Sequence, residues 1–252
     1  NKGRCLTIIG PRQSGKTTLC RKLFPDYAYF SFEIPDIREQ FHYDPRGFLQ
    51  NISRHAVFDE VQKVPDLLSY LQGVLDDPND ARKFVLTGSN NLQLSEKVSQ
   101  TLAGRTRILK LFPLQREEIS KPDRLPDIDS SLLFGSYPRI YHEKLDPGAW
   151  LADYLQTYVE KDIRDTIHIT DVRDFEIFIR MLAGRVGQVM SFNSLAGDVG
   201  ITQPTAKRWT SALESSFICF PLSPHYRNFS KRLIKAPKIY FHDTGLLCYL
   251  LR

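Results

Sequence analysis

The residues Gly10-Pro11-Arg12-Gln13-Ser14-Gly15-Lys16-Thr17 fit the phosphate-binding pattern G-x-x-x-x-G-K-[ST], and they constrain the fold more than any other stretch. Such a loop needs a strand before it and a helix after it. The run Cys5 to Ile9 reads as a short buried strand, and Thr18 to Phe24, with Leu19 and Leu23 on one face, reads as a helix. A polyphosphate needs many N–H donors at close range. Gly10 and Gly15 are expected to let the backbone curl toward it, while the following helix offers its positive N-terminus. Lys16 is expected to reach the terminal phosphates and Thr17 to offer a hydroxyl to magnesium. Pro11, Arg12, Gln13, Ser14 and Thr18 complete the cradle.

The rest of the first half repeats strand and helix in alternation. Tyr27 to Glu33 reads as a second strand, followed by a polar, helix-prone stretch to about Ser53. Ala56-Val57-Phe58-Asp59-Glu60 reads as a third strand ending in two carboxylates. Asp59 is placed to hold magnesium and Glu60 to act as general base, although alone such a pair is also what a surface turn contains. Leu67 to Leu75 is an amphipathic helix, and Lys83 to Thr87 is a strand running into Gly88-Ser89-Asn90. Ser89 or Asn90 is positioned either to sense a terminal phosphate or simply to turn the chain. Arg105 precedes a strand Ile108 to Phe112, and is either structural or able to reach phosphate across a subunit boundary. This rhythm predicts a parallel sheet flanked by helices, with Gly10, Asp59 and Ser89 converging at the carboxyl ends of the strands.

Composition narrows the class. At 42% hydrophobic and 25% charged residues the chain has the make-up of a soluble globular protein. It carries no run of about 18 apolar residues and no signal-peptide pattern, so the expectation is a cytoplasmic protein with no membrane partner. Cys5, Cys20, Cys219 and Cys248 lie far apart without C-x-x-C pairing, which suggests reduced thiols rather than zinc or disulfides. The net charge of +5 is compatible with nucleic acid without demonstrating it. The start at Asn1 without methionine and the end at Arg252, directly after the apolar run Leu246 to Leu251, read as those of a piece of a longer protein.

Pro113 to Pro126, rich in proline and charge, marks the exit from the first domain. Helical faces return at Trp150 to Ile163 and Phe175 to Leu182. Between Ser194 and Phe217 the pattern is a helix-turn-helix: Leu195, Ala196 and Val199 on a short helix, Gly200 as the turn, and Thr202 capping a helix with Pro204 in its first turn. Ala206, Trp209 and Leu213 face inward, leaving Gln203, Lys207, Arg208 and Ser211 for recognition. Strands Phe217 to Leu222 and Lys238 to Phe241 form a wing around a basic loop with Arg227, Lys231, Arg232 and Lys235. No acidic residue occurs from Ser215 to His242, and Tyr226 and Phe229 interleave the basic ones. Packing of this module against the first domain is the alternative to contact with duplex DNA.

Gly-Pro-Arg-Gln-Ser-Gly-Lys-Thr-Thr at 10–18, Phe-Asp-Glu-Val-Gln-Lys-Val-Pro at 58–65, Leu-Thr-Gly-Ser-Asn at 86–90 and Leu-Ala-Gly-Arg at 102–105 together resemble prokaryotic AAA-type ATPases whose C-terminal half is largely uncharacterised. The likeness continues through Gly135-Ser136-Tyr137-Pro138, Tyr158-Val159-Glu160-Lys161-Asp162 and Tyr240-Phe241-His242-Asp243-Thr244-Gly245. It implies ATP binding at Lys16 and Thr17, a Walker B pair at Asp59 and Glu60, and a sensor near Ser89. Arg105 as arginine finger follows less directly, because such families vary in where that arginine sits. Members often continue into a nuclease-like fold, which these residues do not include. The expected architecture is therefore α/β: a parallel-sheet, AAA-like P-loop ATPase domain over 1–120, a linking helical segment over 121–170, and a winged helix-turn-helix domain over 171–252. The expected function is an ATP-hydrolysing molecular switch with ATP and Mg2+ as cofactors, acting as a homo-oligomer or with a partner protein. A nucleic-acid-binding regulator with little turnover is the second reading. A small-molecule phosphotransferase is the third, disfavoured because Glu60 beside Asp59 suits water activation better.

Overall fold

The computed structural model describes residues 3–89, 98, 100–119, 127–157, 172–225 and 235–252, with the backbone alone at 158–159. It separates into two compact units, Asn1–Phe112 and Pro113–Arg252. In the first unit the strands are β1 (Cys5–Gly10), β2 (Ala28–Ser31), β3 (Ala56–Asp59), β4 (Phe84–Ser89) and β5 (Thr106–Lys110). They form one parallel five-stranded sheet in the order β2-β3-β4-β1-β5. Helices α1 (Lys16–Leu23), α2 (Pro35–Tyr43), α3 (Pro45–Gln50) and α4 (Leu67–Asp76) connect and cover the strands. The expected parallel-sheet P-loop architecture is the observed one.

Alternation along the buried strands sorts side chains onto the two faces. Phe58, Phe84 and Leu86 join Phe32, Phe41, Leu67, Leu68 and Leu71 in the larger core. Ile8, Val57 and Val85 pack with Cys20 on the other face. The larger core is bound by stacked rings, with Phe58 and Phe84 centroids 5.9 Å apart and Phe32 and Phe58 6.0 Å apart.

Among the elements whose bounds differ from the sequence expectation, two bear on the site. The second strand ends at Ser31 rather than Glu33, because the Phe32 N–H donates to the Asp59 carbonyl and the Ile34 N–H back to Ser31, turning the chain into α2. The fourth strand continues through Gly88 and Ser89, which pairs with Gly10. Ser89 is thus a buried strand residue rather than part of a turn.

The second unit is mainly helical: α5 (Arg116–Ile119), α6 (Ile128–Phe134), α7 (Pro138–His142), α8 (Pro147–Tyr154), α9 (Val172–Ala183), α10 (Phe192–Val199), α11 (Gln203–Ser215) and α12 (Thr244–Leu250). A single π turn, Leu155–Val159, follows α8. Gly200, at φ 83°, ends α10, and the Thr202 hydroxyl accepts from the Thr205 N–H to start α11. Trp209 on α11 meets Phe175 and Phe178 of α9 edge-on. Strands β6 (Cys219–Leu222) and β7 (Lys238–Phe241) pair antiparallel after α11. No helix among the described residues is long and apolar enough to cross a membrane, and the four cysteines are free thiols.

Two motifs far apart in sequence meet here. The buried Asp243 carboxylate accepts the N–H of Leu246, capping α12, and the N–H of Ser136, each at 2.7 Å. Gly135 sits at φ 67°, ψ −150°, a conformation open essentially to glycine. A side chain on Gly245 would come within 2.7 Å of the Gly135 nitrogen. Gly-Ser at 135–136 and Asp-Thr-Gly at 243–245 therefore close on each other backbone to backbone.

Asp243→Ala strands two buried N–H groups, so it is expected to lower the stability of the second unit by about 2–4 kcal/mol. Both tryptophans, Trp150 and Trp209, lie in this unit, so urea unfolding followed by tryptophan fluorescence reads the loss directly.

Candidate functional site

β1 delivers the chain to Gly10, where a side chain would collide with the Leu111 carbonyl at 2.0 Å. Gly10 is required by the close approach of the Leu111 backbone, a reason different from the curling expected of it. The curl comes later, at Gln13 (φ 61°) and Gly15 (φ 90°). Gly15 is the N-cap of α1 and offers no side chain, so the first N–H groups of the helix are left for a ligand. Ser14 is buried and its Oγ has no hydrogen-bond partner among the described residues.

Lys16 opens α1 at 5% exposure, with Nζ donating to the carbonyls of Gly10 at 3.0 Å and Pro11 at 2.7 Å. Burial pushes the lysine down to about 8, against the opposing pull of Glu60 and Asp59. Thr17 donates its hydroxyl to Asp59 Oδ2 at 2.9 Å, joining the helix to the end of β3. The same carboxylate accepts the hydroxyls of Tyr29 on β2 and Thr87 on β4, and burial with the Asp59 contact raises the Tyr29 phenol far above its ordinary value.

Glu60 follows immediately, at φ 59°, ahead of the one-turn 3-10 helix Val61–Lys63. That left-handed conformation turns the side chain into the cavity lined by Arg12, Gln13, Gly15, Lys16, Thr17, Thr18, Glu33 and Glu60. Burial raises the Glu60 carboxyl above the usual range, with Lys16 and Arg12 drawing it back down. Gln62 donates from Nε2 both to Glu60 and, at 2.9 Å, to Ser89 Oγ. Glu33 is paired with Lys63 beside the same cavity. A buried cation, a buried hydroxyl without a partner, open helix N–H groups and a hydroxyl–carboxylate pair suit a polyphosphate with a hard, oxygen-preferring cation.

The strand register brings Gly10, Pro11, Arg12, Gln13, Ser14, Gly15, Lys16, Thr17, Thr18, Asp59, Glu60 and Ser89 to one edge of the sheet. It does not bring Arg105 there. Arg105 precedes β5, whose first residue pairs with Cys5, and β1 separates that edge from Gly10 by about 16 Å of strand. Its guanidinium is held by Asp76 through bonds of 2.6 and 2.9 Å. Lys207 and Arg208 are exposed on α11 and Gln203 is half-buried, with Lys207 Nζ 5.9 Å from the Phe192 ring centroid. Arg227, Lys231, Arg232 and Asn90 lie outside the described residues.

Sequence reasoning missed Tyr29, Glu33, Gln62 and Thr87. Gln62 and Thr87 lie inside motifs already singled out, whereas nothing in the sequence marks Tyr29 or Glu33.

Residues 2–120 match the family model described as an AAA domain, and residues 125–252 match one described as Domain of unknown function (DUF8612). An uncharacterized protein of Mycobacterium tuberculosis and one of Mycobacterium bovis are each 32% identical over 249 residues, covering 97% of this chain and 55% of the relative. The chain thus spans about half the length of the curated relatives it matches. Among solved structures, the Walker-type ATPase of Pyrococcus abyssi is similar in fold with a TM-score of 0.58 at 14% identity, covering 99% of this chain and 91% of that one.

The depressed Lys16 value has a testable consequence. Because it lies below the ordinary 10.5, the cost of burying the charge is fully present below about pH 8 and fades as pH rises toward 10.5. Lys16→Met should therefore stabilise the ligand-free protein at pH 7 relative to pH 10, by up to about 3 kcal/mol. Paired urea titrations followed by circular dichroism measure that difference; a pH-independent difference would refute it.

Proposed function

The chain belongs to the family described as Domain of unknown function (DUF8612), here preceded by an AAA domain, and we propose that it is an ATP-hydrolysing molecular switch. The observation that carries the reading is the joining of Thr17 and Asp59 at 2.9 Å beside the buried Lys16 and the cavity-lining Glu60. In this reading Gly10 to Thr18 bind the phosphates through backbone N–H groups and the start of α1. Lys16 exchanges its carbonyl partners for the terminal phosphates. Thr17 and Asp59 would hold Mg2+ with water completing its shell, and the ion supplies charge neutralisation to the phosphates. Glu60 takes the proton of the attacking water, and a carboxyl raised by burial is a better base for that purpose than an exposed one. Ser89 sits where a terminal phosphate is sensed. Any contribution of Arg105 is made to a neighbouring subunit of a homo-oligomer, since its own site lies at the other edge of the sheet.

The second unit supplies the output of the switch, with 171–252 acting as a winged helix. Support for a nucleic-acid partner comes from exposed Lys207 and Arg208 on α11 and from the acid-free stretch Ser215 to His242. The rival reading, a duplex-binding regulator with little turnover, rests on the same residues. Phosphate release measured with and without duplex DNA separates the two.

Lys16→Ala is expected to abolish nucleotide binding or turnover while the fold persists, and Glu60→Gln to keep ATP affinity but slow turnover about a hundredfold or more. Calorimetric nucleotide titration with steady-state phosphate release tests both, and normal turnover in either variant sinks its assigned role. For the second unit, affinity for a labelled duplex should fall steeply with salt. In a Lys207→Ala, Arg208→Ala double variant, the log-log slope should flatten by about one for each lost phosphate contact. Equal binding by both proteins would make this face a protein contact instead.

A further inference from the structure

Gln62 stands at the meeting point of two residues that the function needs to act together. Its Nε2 donates to Glu60 at the end of β3 and, at 2.9 Å, to Ser89 Oγ at the end of β4. One carboxamide nitrogen has two hydrogens, and both are used here on these two partners. The amide oxygen is buried without a hydrogen-bond partner among the described residues. Burying an unpaired acceptor costs free energy. The amide is nevertheless turned so that its donors face the carboxylate and the hydroxyl, and the opposite rotamer would set oxygen against the Glu60 oxygens.

The backbone beneath is fixed. Lys63 and Val64 N–H groups close the turn onto the Glu60 and Val61 carbonyls at 3.1 and 3.0 Å. Val61 and Val64, both fully buried, anchor it in the larger core. The side chain of Gln62 thus projects from a turn closed by backbone hydrogen bonds, next to Glu60 in its left-handed conformation.

We propose that Gln62 is a positioning residue that ties the Glu60 carboxylate to the Ser89 hydroxyl, so that the water-activating group and the end of β4 move as one unit. The inference rests on the reading of Glu60 as general base. Gln62 contributes no proton transfer. Its effect is geometric: with the amide in place the carboxylate has one orientation, and a displacement of Ser89 is passed to Glu60 through a single side chain.

The test uses the full chain. Gln62→Met keeps the length and volume of the side chain but removes both donors. It should lower kcat for ATP hydrolysis about ten- to a hundredfold, the scale of a lost hydrogen bond to a charged group, with KM moving less than about threefold. An unchanged kcat, or a raised KM at constant kcat, overturns the proposal. A second readout needs no turnover. In the side-chain amide region of a 1H–15N spectrum, the Gln62 pair is identified by its loss in Gln62→Met. It should then shift in both Glu60→Gln and Ser89→Ala, proteins that retain Gln62. If it shifts in neither or in only one, the tie does not exist in solution. A wild-type chain that releases no phosphate would defeat the ATPase reading, while the amide spectrum would still decide whether Gln62 joins Glu60 to Ser89.

Discussion

The Asp59 carboxylate is the interaction on which the rest of the nucleotide-binding unit depends. It accepts hydroxyls from Thr17 on α1, Tyr29 on β2 and Thr87 on β4, so one buried group fixes the end of β3 against three neighbouring elements. A carboxylate at 3% exposure is tolerable only because its oxygens are supplied with donors. The donors in turn lie at the carboxyl edge of the sheet because the strands are parallel and in register there. Ser31 is aligned with Asp59, and Phe58 with Leu86. The edge that carries the candidate phosphate site and the structural knot of the sheet are therefore the same place, with Glu60 one residue beyond the knot.

How much was legible beforehand follows from the range of the interactions involved. The P-loop, the buried strands and the carboxylate pair were readable because each is a local pattern, a run of apolar residues ending in a turn with fixed chemistry. The ends of α10 and α11 were readable for the same reason, since Gly200 and Thr202 carry their cap chemistry within a few residues. Tyr29, Thr87 and Gln62 were not, because their roles exist only once the strands are laid side by side. For Gly10 the structure adds a cause that the sequence does not carry: the Leu111 carbonyl that excludes a side chain there belongs to the segment following β5. Arg105 shows what strand direction adds to proximity in sequence, for a residue preceding a parallel strand begins at the edge away from Gly10.

The two units are built on different logics. The first buries stacked phenylalanines beneath a sheet whose pattern repeats every second residue. The second is held by helix faces around Trp209 and by the closure of Gly135 and Ser136 onto Asp243. The motifs that bracket that closure resemble functional signatures in being short and polar, yet their chemistry is spent on backbone N–H groups within the unit.

The bond from Ser136 to Asp243 spans 107 residues, and that distance orders events on the ribosome. The strands of the sheet are all present once Lys110 has been made, so the first unit can assemble on a nascent chain. The second unit cannot complete its closure until Asp243 and α12 emerge. During that interval α6 and α7 lack the carboxylate that pins the turn between them. Synthesis thus passes through a stage with one half folded and the other waiting, the stage at which association with the wrong partner is easiest.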